Sequence, residues 1–91
     1  MAIVVKIPAP LRRLTEGNRE VSTSAATVGE CLEILGQQFP GLKDRICEED
    51  GSVRRFVNIY VRGEDIRFAQ GLATALRDGD DVSIVPAASG G

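Results

Sequence analysis

One stretch of this chain has the pattern of a long amphipathic helix, and the segments on either side of it carry apolar residues in alternation. Thr27-Val28-Gly29-Glu30 matches a capping box, in which Thr27 covers a free backbone N–H and Glu30 reaches back to the cap. Val28, Cys31, Leu32 and Leu35 then recur at steps of three and four, Phe39 continues the stripe, and Pro40-Gly41 stops it. A helix with one apolar stripe must lay that stripe on another element. The alternating segments supply a sheet.

Ile3, Val5 and Ile7 alternate with Val4 and Lys6, which predicts a first strand over Ala2 to Ile7, ended by Pro8. From Pro10 to Asn18, Leu11 and Leu14 flank Arg12 and Arg13, and Glu16-Gly17-Asn18 is rich in turn formers, so a loop feeding a hairpin is expected. Arg19 to Ser24 predicts a second, more polar strand with Val21 and Thr23. Beyond the helix, Gly41 to Val53 contains Glu48-Glu49-Asp50 beside Gly51 and reads as a solvated surface loop holding at most a short turn. Arg55 to Arg62 is the clearest strand, with Val57, Ile59 and Val61 on one face and Phe56, Asn58 and Tyr60 on the other. Gly63-Glu64-Asp65 reads as a turn, Ile66 to Phe68 as a short strand, and Gly71 to Leu76 as a connection to the turn Asp78-Gly79-Asp80. Val82 to Val85 is the last strand.

This order is the β-grasp (ubiquitin-like) arrangement of the α+β class: a mixed four- to five-stranded sheet covered by one main helix. Residues 1–86 form the expected domain. Pro86 removes a ladder donor and Ala87-Ala88-Ser89-Gly90-Gly91 has no large side chain to anchor it, so 87–91 is expected to be a flexible tail.

Ninety-one residues suffice for one modest core but not for a second domain or a deep private active site, so elaborate chemistry is expected to happen with partners. Eleven basic against thirteen acidic residues leave a net charge of -2, no footprint for phosphate backbones or anionic lipid, so neither nucleic acid nor membrane is an expected partner. Met1 to Ile7 is broken by Lys6 and stopped by Pro8, short of a signal-peptide core or a membrane span, and a cytoplasmic location is expected. Cys31 and Cys47 stand apart in no CxxC pair, and the chain has no histidine to complete a metal site or a nucleophile-base pair. Both cysteines read as small buried hydrophobes. No metal, no bound cofactor and no intrinsic enzyme activity are expected.

Gly90-Gly91 alone would mean only a frayed end. Behind a β-grasp pattern and a strand that stops at Pro86 it means more. A glycine lacks Cβ, so the backbone can thread a narrow channel in a partner and present an unhindered carboxylate to a nucleotide. An extended tail from Pro86 reaches roughly 18 Å, at about 3.3 Å per residue. If Val82 and Ile84 face the helix, Ser83 and Val85 turn outward, and Val85 is either a partner contact at the root of the tail or a lone exposed apolar residue. Phe56 and Tyr60 are partner-binding candidates if their face points outward; with the faces inverted they are core.

Arg55-Phe56-Val57-Asn58-Ile59-Tyr60-Val61, Glu64-Asp65-Ile66-Arg67-Phe68, Gly71-Leu72-Ala73-Thr74, Asp78-Gly79-Asp80 and Val82 to Pro86 leading to Gly90-Gly91 together resemble the MoaD/ThiS family of ubiquitin-like sulfur carriers. The likeness covers nearly the whole chain, is densest in the last forty residues, and is greater to the branch serving O-phosphoserine-dependent cysteine synthesis than to the small subunit of molybdopterin synthase. Ser89 stands where relatives often carry a small apolar residue or threonine. The resemblance implies that an E1-like adenylyltransferase/sulfurtransferase uses ATP and Mg²⁺ to convert the Gly91 carboxylate to an acyl adenylate, and that a sulfur donor displaces AMP to leave a thiocarboxylate. It implies either a PLP-dependent cysteine synthase with a metalloprotease, or the molybdopterin synthase large subunit, as downstream partners. The chain would be a protein cosubstrate, monomeric when free. A ubiquitin-like modifier and a β-grasp interaction module remain alternatives.

Overall fold

The computed structural model describes residues 2–86. Five strands form one sheet: β1 (Ala2–Lys6), β2 (Glu20–Ser24), β3 (Val57–Val61), β4 (Glu64–Asp65) and β5 (Asp81–Pro86), in the spatial order β2-β1-β5-β3-β4. The β1–β5 pair is parallel and the other three are antiparallel. Helix α1 (Val28–Gln38) covers one face. This is the expected α+β, β-grasp architecture, with the chain's last strand at the centre of the sheet.

The core forms where the two periodicities meet. Ile3, Val5, Ile59, Val82 and Ile84 project from alternate strand positions and Val28, Cys31, Leu32 and Leu35 from one stripe of α1, all of them buried. Burying a side chain of this size fully stabilises by roughly 1.5–3 kcal/mol relative to leaving it exposed. The start of α1 carries the expected cap: Thr27 Oγ1 accepts from the Glu30 N–H at 3.2 Å. The Glu30 carboxylate reaches one residue further back than a standard capping box and accepts from the Ala26 N–H at 3.1 Å.

Four expectations need correction. Pro10 to Asn18 is not a plain loop, because Ala9–Thr15 forms a 3₁₀ helix. Leu11 and Leu14, three apart, eclipse in such a helix and pack together on the core. Thr15 is wholly buried, with its hydroxyl donating to the Asn18 carbonyl at 2.9 Å. The segment after Gly41 is not only a solvated loop: it begins with a second helix, α2 (Leu42–Ile46), whose Leu42 and Ile46 are buried on the same core. The turn after β3 is Arg62-Gly63, both left-handed, and Glu64–Asp65 already pair with Val61 and Tyr60 as β4. Ile66–Phe68 is a 3₁₀ turn rather than a strand, opened by Asp65, whose Oδ1 accepts from the Arg67 N–H at 2.9 Å.

Among the described residues no helix is long and apolar enough to cross a membrane, and no group of three or more His, Cys, Asp or Glu could hold a metal ion.

Candidate functional site

The candidate site is the outer face of the sheet where β5 ends. Val82 and Ile84 point into the core and leave Val85 on the opposite face, 43% exposed. Across the antiparallel ladder Val85 faces Asn58, and Ser83 faces Tyr60. On the other side, across the parallel pairing, Ser83 neighbours Lys6. Lys6 forms an exposed ion pair with Asp81 at 3.5 Å, so the charge on this face lies toward the start of β5 and the apolar residue at its end.

Phe56 precedes β3, is 54% exposed, and has the Arg55 guanidinium 5.8 Å from its ring centroid. Tyr60 is half-buried. The structure therefore places Val85, Phe56 and Tyr60 outside the core and excludes the inverted strand faces. Ser89, Gly90 and Gly91, together with the expected tail 87–91, lie outside the described residues.

Neither cysteine belongs to this face. Both are buried. Burial pushes the Cys31 thiol up from 9.0 to about 11. The Cys47 thiol is also raised by burial, partly offset by the positive charges of Lys43 and Arg54. Neither is a thiolate at neutral pH, so neither offers an accessible nucleophile.

The model of the ThiS family matches residues 5–91 of this chain. The chain belongs to the ThiS family. The sulfur carrier protein CysO of Mycobacterium tuberculosis is 45% identical over 93 residues, covering all of both chains. A chain in the crystal structure of the Amycolatopsis orientalis BexX/CysO complex superposes with a TM-score of 0.91 at 39% identity, over 98% of this chain and 99% of that one. The small archaeal modifier protein 3 of Haloferax volcanii is 44% identical over 66 residues, 72% of this chain and 71% of that protein.

On this ThiS-family scaffold the sequence alone did not single out two residues of the Ile66–Phe68 turn. Phe68, at the end of the 3₁₀ turn, is 83% exposed, the most open of the large hydrophobic residues described. Reading Ile66 to Phe68 as a strand concealed it, since a strand residue there would be half-covered. Arg67, beside it, folds its side chain back onto β3, where its Nη2 donates to the Val57 carbonyl at 2.8 Å. A single arginine between Ile66 and Phe68 carries no signal for such a contact.

Proposed function

We propose that this ThiS-family chain is a sulfur carrier whose working group is the carboxylate of Gly91. Supporting this are its identity with CysO over the whole of both chains and, as the observation that carries most weight, the placement of β5. The strand leading to Gly90-Gly91 is the central one, gripped by β1 and β3, and it turns Val85 outward just before the terminal residues begin. A domain so arranged offers a partner an apolar foothold beside the segment to be modified.

The chemistry requires an activated carbonyl, because a carboxylate is a poor electrophile. An adenylating partner joins the Gly91 carboxylate to AMP from ATP with release of pyrophosphate. A sulfur donor then attacks the carbonyl carbon, the bond to AMP breaks, and a thiocarboxylate remains. In cysteine synthesis the thiocarboxylate sulfur would bond to an acceptor held by a PLP-dependent synthase while still joined to the Gly91 carbonyl, and hydrolysis of the resulting Gly91–cysteine linkage by a metalloprotease would free cysteine and restore the Gly91 carboxylate. ATP, Mg²⁺, PLP and the protease metal are supplied by those partners. This chain contributes the glycine carboxylate, the outward Val85, Phe56 and Tyr60, and a core that stays folded throughout.

Incubation with the adenylating partner, ATP, Mg²⁺ and sulfide should exchange one terminal oxygen of Gly91 for sulfur, as read by intact mass and placed by fragmentation. Deleting Gly91 should abolish the product without unfolding the domain. Sulfur on Cys31 or Cys47, or no exchange with a partner that demonstrably adenylates the wild type, would overturn the proposal. The similarity to a small archaeal modifier protein favours a second use of the same adenylate, with a lysine amine replacing sulfide. Branched peptides joining Gly91 to lysine in a digest would reveal it.

A further inference from the structure

Strand β3 has β5 along the whole of one edge, but on its other edge β4 pairs only with Tyr60 and Val61. Continuing that register by two residues would set Arg67 against Asn58. Arg67 has instead left the strand for the Ile66–Phe68 turn. Its side chain returns to the same edge. Nη2 donates to the carbonyls of Val57 at 2.8 Å, Arg54 at 3.1 Å and Arg55 at 3.3 Å, and Nη1 donates to Asn58 Oδ1. One guanidinium thus stands in for the missing length of edge strand. It gathers three carbonyls from the segment that enters β3, together with the side chain opposite Val85.

Only arginine suits this task. Its five N–H donors lie in a rigid plane, whereas a lysine ammonium has three donors on a flexible stem. The carboxylate of Asp65, 3.9 Å away, would serve either cation as a charge partner, so charge does not account for the arrangement. The convergence of acceptors does.

We infer that Arg67 is a positioning residue: it fixes Asn58, which pairs with Val85, and the Arg54–Phe56 segment that leads into β3, so that the docking face at the end of β5 is already formed when the adenylating partner arrives. This rests on the sulfur-carrier reading above. Without the clamp the segment from Arg54 to Phe56, which precedes the β3–β5 ladder, would have to be ordered during binding, which weakens association while leaving the chemical step at Gly91 untouched.

Arg67→Lys and Arg67→Met test it, in the full chain, with the adenylating partner and with hydrogen exchange on the free protein. Both variants should raise the KM for the carrier about tenfold at unchanged kcat, and both should exchange the amides of Arg54 and Val57, which donate to the Ile46 and Arg54 carbonyls, about tenfold faster than wild type while α1 keeps its protection. A Lys variant that behaves like wild type would show that charge suffices and would overturn the clamp. So would unchanged KM in both variants, or protection lost equally across the domain. Failure of the wild type to be adenylated would overturn the sulfur-carrier reading itself, and the positioning role with it.

Discussion

Gly36 of α1 lies so close to Lys43 of α2 that a methyl group at Gly36 would sit 2.9 Å from the Lys43 Cβ. Real Cβ atoms do not approach that closely, and the obstructing atom is at the base of the lysine side chain, where rotation cannot remove it. Alanine in a helix is ordinarily favoured over glycine by about 1 kcal/mol. Here the gain should be reversed. Gly36→Ala is expected to destabilise by about 1–3 kcal/mol, the usual cost of overpacking, as read by denaturant melts. A stabilised variant would mean that α2 yields freely.

The cap on α1 gives a second test. Thr27→Ala removes the acceptor for the Glu30 N–H and should cost about 1 kcal/mol, seen as a lower denaturant midpoint at unchanged slope. Thiocarboxylate formation below the transition should be unaffected, since the bond removed is local to the start of α1.

Val85 and Ile84 are neighbours on β5 with opposite fates, 43% and 3% exposed. Val85→Asp should leave the fold intact and weaken the adenylating partner by about 2 kcal/mol, or ~30-fold, because a carboxylate would be buried without a partner in the complex. Ile84→Asp should unfold the domain. Circular dichroism and titration calorimetry separate the two outcomes, and unfolding by Val85→Asp would refute its outward placement.

Alkaline pH should weaken the fold through Cys31. Its folded-state value of about 11 exceeds the ordinary 9.0, so the native state holds its proton where the unfolded chain has released it. Stability from this thiol is therefore complete below pH 9 and is lost as pH rises from there toward 11, at up to about 1.4 kcal/mol per pH unit. Cys31→Ala should show a shallower decline over that interval. At neutral pH a thiol-alkylating reagent should label neither cysteine until denaturant is added, because both are buried.

Much of the fold was legible because its strands and main helix repeat. Val57, Ile59 and Val61 announce β3 by alternation, and Thr27 with Glu30 marks the start of α1; both features depend on neighbours close in sequence. Helix α2 escaped because five residues with two apolar positions, Leu42 and Ile46, are too few to establish a period, and the acidic run behind them suggested solvent. The 3₁₀ helix over Ala9–Thr15 was hidden by Pro10 and Gly17, which signal a turn, although the spacing of Leu11 and Leu14 fits three residues per turn. Of the site, the outward Val85 followed from the parity of β5. The Arg67 clamp did not, since its acceptors lie 9 to 13 positions earlier in the chain and three of the four are backbone carbonyls, which every residue possesses.

The central position of β5 also has a mechanical consequence. A pull on the residues that follow Pro86 would run along β5 and load its ladders with β1 and β3 together, in shear. Hydrogen bonds in the antiparallel ladder with β3 lie across the direction of pull, so they would have to yield collectively. A strand at the edge, drawn sideways, would instead peel away bond by bond. A load applied there would therefore meet the described domain as a fixed handle, because its central strand cannot give way one bond at a time.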